Sequence, residues 1–437
     1  MIIWDALISQ PRADHLIIAK YIVIVLSLFF FPYISILFGS LLYALGLNVK
    51  GRADHNPLEI RLSADIMTTF GGGLGRGFFL GILPLMVIGV AFAQILYDSD
   101  FNVVLHFGTI LVLATLGIIF SFFARNYALE IEAKEKLFRI TATLAIVFLF
   151  LTIYGFVATT SLMYYPGKWA TMKTGLPTLF SAIVFVRLLW ALTFSLGLTA
   201  VAMLFFFFIW GDGLDFGSDD YKRFVRYFVA GNAFLFTLLQ PLFVVWDLYI
   251  FPEIGKTAAV YNLSAGFVLL LMLCGIFLYQ VIIKQNERLG SAVFPLYILG
   301  VLLFFISDHA GRETAYQEHT NYLLAQAEQL KQQQAMEAAP AAEEAVSKME
   351  LGKQIYNIRC AACHAFDRKV VGPPHFDVLP KYVDKKEELV KFILSPVRVN
   401  PEYPPMPSLG LQPHEAEAVA EYLLEEFQRQ KQASGQQ

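Results

Sequence analysis

The sequence predicts an all-α protein in two parts: a polytopic helical membrane bundle of about eight spans, and a separate small domain at the C-terminus. Three observations carry that prediction. The 437 residues are 57% apolar, with 40 Phe and a mean hydropathy of +0.56, more apolar side chain than a soluble domain of this length can hide. The excess falls in the first 310 residues, in runs long enough to cross a bilayer, for which about 20 apolar residues suffice. Beyond residue 310 the composition turns polar. The expected organisation is a transmembrane domain over 1–310, a helical linker over 311–347 and a C-terminal domain over 348–437. A net charge of -3 gives no electrostatic footprint for nucleic acid, so membrane lipid is the expected surrounding partner.

The spans are expected at 16–47, 78–98, 102–124, 138–163, 179–210, 225–251, 257–284 and 290–309. The first and fifth exceed the bilayer thickness and should tilt or project into the interface. Before the second span an amphipathic segment leads into Gly71-Gly72-Gly73-Leu74-Gly75-Arg76-Gly77. That spacing is not a dinucleotide fingerprint and no strand precedes it, so it reads as a tight turn allowing close packing. Lys50, Arg52, Arg61, Arg76, Arg125, Lys134, Lys136, Arg139, Lys222, Arg223, Arg226, Lys284 and Arg288 fall on one side. Asp98 and Asp100, with only Lys168, Lys173 and Lys256, fall on the other. The basic side is expected to face the cytoplasm. The opening residues lack a basic start and a small-residue cut site, so the N-terminal tail is expected outside without a cleavable signal. The linker reads as a polar helix from Arg312 to Gln334 that passes into Ala339-Pro340-Ala341-Ala342-Glu343-Glu344. It is either a semi-rigid spacer or a packed connector.

Chemistry concentrates in Cys360-Ala361-Ala362-Cys363-His364. This C-x-x-C-H run is the attachment signature of a c-type haem: two thiols reach the two vinyl groups, and the following His meets the iron. A thiol redox pair would want a βαβ context, and a zinc site would want about four protein ligands. The remaining Cys274 lies in an apolar run and reads as a small hydrophobe. Tyr403-Pro404-Pro405-Met406-Pro407 supplies the candidate sixth ligand, Met406, in a proline-stiffened loop. His375 and His414 compete for that place; the first sits too near the attachment run to reach the far face, and the second opens the last helix facing water. Covalent haem attachment takes place outside the cytoplasm. An even number of spans then places the N-terminus outside too, in agreement with the loop charges.

Residues 349–427 resemble a class I cytochrome c. The resemblance rests on the opening helix Gly352-Lys353-Gln354-Ile355-Tyr356, the attachment run, Gly372-Pro373-Pro374, the Met406 loop and a closing helix with Tyr422-Leu423-Leu424. It implies one covalent haem c, with the Pro373 carbonyl facing the axial His364.

Ionisable residues at membrane depth are costly and are functional candidates by default. Arg187 is the sharpest: its partner is a haem propionate, a quinone oxygen or a carboxylate from another span such as Asp247, unless it snorkels to the interface. Lys20 is expected to snorkel. His15, His106 and His309 all fall at the outer ends of spans, which is what an outer-side haem b would need, with His15 and His106 the better pair. Solvated interfacial histidines are the alternative reading. The membrane half also resembles, remotely, a cytochrome bd oxidase subunit I-like protein. That resemblance rests on His15 opening the first span, on Gly175-Leu176-Pro177-Thr178 before Arg187, and on the Gly311-Arg312-Glu313 exit. It implies membrane haem and quinol chemistry. Where a ligand His would follow the Arg, this chain has Leu188, Leu189 and Trp190, and no pair of membrane Glu residues stands out.

The expectation is a c-type cytochrome moving single electrons at the outer face of a bacterial cytoplasmic membrane. It would serve a respiratory chain as one of several partner subunits, between a soluble or membrane electron donor and an acceptor. The first alternative is a quinol-oxidising or terminal-oxidase-type enzyme with a membrane haem b. The second is a structural or docking subunit that carries haem c.

Overall fold

The computed structural model describes residues 12–172, 180–210 and 213–434, the side chains of 170–172, 337–344 and 434 excepted. Among the described residues there are helices, turns and loops but no strand. Two compact units divide the chain, Met1–Ala327 and Glu328–Gln437.

Among the described residues, eight helical stretches of the first unit are long and apolar enough to cross a membrane. They are α1 (Ala13–Ala53), a composite stretch over Leu74–Ile95, α5 (Val103–Ala128), α6 (Ile131–Leu162), α7 (Ala182–Phe208), α8 (Asp219–Ile250), α9 (Ala258–Lys284) and α10 (Val293–Ala315), the last preceded by a 3-10 turn. The protein is thus an all-helical, multi-pass membrane chain. Amphipathic α2 (Pro57–Phe70) precedes the composite stretch, which consists of α3 (Leu74–Gly77), a π-helical turn over Phe78–Ile82 and α4 (Leu83–Ile95). Asn56 caps α2 by accepting from the Leu58 amide at 3.1 Å, and Pro57 takes the first helical position. The glycine run does make a tight packed turn: a Cβ on Gly71 would stand 2.2 Å from the Met67 carbonyl oxygen.

Helix ends differ from the hydropathy expectation. α6 and α8 begin earlier, because hydropathy stops at the first charges whereas the helix does not. Within α6 the charges pair along the helix, Arg139 with Glu135 at 2.5 Å, and Ser218 caps α8 by accepting from the Tyr221 amide at 3.2 Å. α1 is long, at 41 residues, but α7 has 27 and is no longer than its neighbours. Gly175-Leu176-Pro177-Thr178 and Lys173 lie outside the described residues.

α1 and α7 form the middle of the bundle. Small residues let them cross closely: a Cβ on Gly39 would stand 2.2 Å from Thr199 Oγ1 and 2.8 Å from the Ser195 carbonyl oxygen. Thr199 Oγ1 satisfies itself on the Ser195 carbonyl at 2.7 Å, so its hydroxyl is not orphaned in the apolar interior. Toward one end an aromatic layer fills the bundle, with Trp190 stacked on Phe304 at 3.9 Å and on Phe31 at 5.8 Å.

The linker begins later than its polarity suggests. α10 runs to Ala315, and Arg312 is 3% exposed inside it rather than opening a solvated helix. α11 (Gln317–Ile355) follows at once, and its first turns are packed: Leu323 is 1% exposed and the Tyr322 hydroxyl donates to Asp98 at 3.0 Å. Polarity marks a change in surroundings, whereas packing continues for as long as a side chain finds a partner.

The second unit is built from the end of α11, a π-helical turn over Tyr356–Cys360, α12 (His375–Val378), α13 (Lys386–Leu394) and α14 (Pro413–Ser434). Ile355, Tyr356, Leu379, Leu389, Ile393, Val419, Leu423 and Phe427 make its core.

Candidate functional site

The C-x-x-C-H run sits where a helix ends in a wide turn. The amides of Cys363 and His364 both donate to the Cys360 carbonyl at 3.0 Å, which folds the five residues into one compact loop. The two thiols are free, not bonded to each other. The chain returns past the loop: the Gly372 amide donates to the Cys363 carbonyl at 2.8 Å. This brings Pro373 beside the imidazole, with its carbonyl oxygen 3.0 Å from His364 Nδ1. Such a bond makes Nδ1 the donor and leaves Nε2 free as a metal ligand. Gly372 is tight against the ring, since a Cβ there would stand 2.2 Å from His364 Cε1.

Cys360, His364 and Pro373 line one cleft with Met406. Leu379, Phe392, Ile393 and Leu423 supply apolar walls. A c-type haem fits this set on four counts: paired free thiols, an oriented imidazole, a thioether on the same cleft and apolar sides. His375 also borders the cleft, 6% exposed, with its ring stacked on His364 at 5.1 Å. Burial, and then the neighbouring His364, push its pKa down to about 4, so it is neutral near neutral pH. His414 is exposed at the start of α14.

A family model described as cytochrome C oxidase, cbb3-type, subunit III matches residues 347–423. Among curated proteins, cytochrome c-551 of Pseudomonas denitrificans is 32% identical over 77 residues, which span 94% of that protein and 17% of this chain. By its C-terminal domain the chain belongs to the cytochrome c family. No solved structure matches the chain. The cytochrome therefore carries an electron-transfer domain that implies haem c and an extracytoplasmic location, attached to a membrane-spanning region.

In the membrane half of the cytochrome, Arg187 is 5% exposed and its guanidinium reaches two carboxylates. Nε and Nη2 donate to the two oxygens of Asp247 at 2.8 and 3.2 Å, and Nη1 donates to Asp308 at 3.0 Å. Asp308 also takes Arg312 at 2.8 Å and the Tyr164 hydroxyl at 2.7 Å. The rings of Tyr164 and Phe251 lie over the Arg187 guanidinium at 4.9 and 5.2 Å. Two arginines and two aspartates cancel, which is how four charges are tolerated in an apolar bundle. The cavities beside Arg187 measure about 20 and 30 Å³, far too small for a quinone ring.

The three histidines of the sequence reading are engaged separately. His15 Nε2 lies 3.2 Å from Arg12, His106 Nδ1 lies 2.7 Å from the Asn102 carbonyl, and His309 lies 3.8 Å from Glu313. Each ring thus has a polar neighbour three or four residues away, in its own helix or helix cap. Lys20 is ion-paired with the partly exposed Glu313 of α10. Sequence reasoning missed Asp308, Tyr164 and His319, whose ring edge meets Trp169 at 5.4 Å. Asp308 had a signal, since Asp308 and Arg312 stand at i,i+4 in the last span.

Proposed function

We propose that the cytochrome is a single-electron carrier at the outer face of a bacterial cytoplasmic membrane, working as one subunit of a respiratory complex. In this reading Cys360 and Cys363 would hold one haem c covalently, and His364 and Met406 would bind its iron. The observation that carries it is the His364–Pro373 bond in a cleft that Met406 shares. Bound there, the haem would supply one-electron redox chemistry. The chain's own residues do the rest. Pro373 fixes the imidazole tautomer, Gly372 lets the returning loop lie against the ring, and the apolar walls keep water away. As an iron ligand, the Met406 thioether would favour the ferrous state and raise the potential.

Orientation rests on two arguments that agree: an even number of spans with an extracytoplasmic C-terminal domain, and basic residues gathered on the opposite side. The donor would be a quinol or a partner subunit, and the membrane half an anchor or docking platform for it.

The test is a reduced-minus-oxidised spectrum of the purified full chain with a pyridine haemochrome count. One haem c per chain and no haem b is the expected result. A haem b signal would instead favour the quinol-oxidising reading. No haem c at all would end the proposal.

A further inference from the structure

The two small cavities beside Arg187 share part of their lining. Arg187, Trp190, Phe304 and Asp308 line both. The first, about 20 Å³, is also bordered by Ser264 and Ser307, and the second, about 30 Å³, by Thr160. Trp190 is 4% exposed, and its Nε1 has no hydrogen-bond partner among the described residues. A buried N–H without an acceptor is unfavourable and calls for an explanation.

Water needs about 10–15 Å³ and two to four polar partners to occupy an internal site, whereas an apolar cavity stays dry. Both cavities meet the size, and both offer partners. Ser264 and Ser307 share one hydrogen bond at 3.1 Å, and Ser307 also donates to the Val260 carbonyl at 3.2 Å, which leaves lone pairs on the hydroxyls. Thr160 donates to the Phe156 carbonyl at 2.8 Å and likewise keeps accepting capacity. Trp190 needs an acceptor that no side chain supplies.

We propose that each cavity binds one water molecule and that the Trp190 indole donates to one of them. The two waters complete a hydrogen-bonded seam through Asp308 that joins hydroxyls on α9 and α10 to the hydroxyl on α6. The ion-pair cluster is then a hydrated site inside the bilayer rather than a dry one. This inference is independent of the haem reading.

Two measurements on the full chain in lipid nanodiscs test it. A high-resolution structure should show one water peak in each cavity, within hydrogen-bond distance of the polar atoms that line it. Val244 and Val157 line the first and second cavities and carry no polar atoms in their side chains. Val244→Ile and Val157→Ile should each evict the water and lower Tm by roughly 1–2 °C. A rise in Tm means that the methyl filled a dry void and overturns the proposal, as do empty cavities in the map, whatever the sign of the Tm change.

Discussion

Arg187 keeps its charge in the bundle through bidentate pairing with Asp247 and a further bond to Asp308. Removing one member of a buried ion pair strands its partner, at a cost of about 3–5 kcal/mol. Arg187→Leu is therefore expected to lose stability on that scale, read as a lower Tm and a lower folded yield in detergent. The double variant Arg187→Leu/Asp247→Leu should recover most of the loss, because Asp308 keeps Arg312. Wild-type Tm in the single variant would mean that Arg187 is solvated after all. In the other unit, Met406→Ala should abolish the weak near-infrared Met–iron charge-transfer band and lower the midpoint potential; an unchanged band would remove Met406 from the ligand set. At Gly372 a Cβ would meet His364 at 2.2 Å, so Gly372→Val should reduce haem incorporation, measured as haem absorbance per mole of protein.

The contact between α1 and α7 depends on small side chains at the crossing, and Gly39 is the tightest point. A larger side chain cannot be absorbed there without moving a backbone, since the Ser195 carbonyl stands behind the Thr199 hydroxyl. Gly39→Val should destabilise the bundle by about 1–3 kcal/mol, as overpacking does elsewhere, and thermal unfolding of the purified chain measures it. Helix ends obey different rules from helix middles. Hydropathy marks the middles well, but α6 continues back through Arg139 and Lys136 as far as a kink at Lys134, whose φ of -120° and ψ of 21° are non-helical, because charged side chains reach water or pair along the helix without breaking its backbone bonds.

Across the whole chain the membrane orientation is the most direct expectation to check. Glu253 and Lys284 flank α9 on opposite sides and are exposed. With a membrane-impermeant maleimide on intact cells, Glu253→Cys should label and Lys284→Cys should not, while both label after lysis. The reverse pattern would place the basic loops outside.

The amino-acid sequence by itself determined the all-helical class, the eight spans and the cytochrome c domain. Each of these rests on a local pattern: apolar runs of membrane length, or C-x-x-C-H followed by Gly372-Pro373. Asp247 was within reach as a partner for Arg187 because both lie at corresponding depths. Only the tertiary structure brought Asp308 and Tyr164 to the Arg187 guanidinium, with Arg312 paired to the same Asp308. Only the tertiary structure, too, made Arg312 a buried residue and Lys20 a paired one. The physical reason is common to all of these. A periodic pattern reports which face of a helix avoids water, whereas the pairing of a buried charge depends on which helices meet and at what rotation. That is decided by packing among residues far apart in the chain.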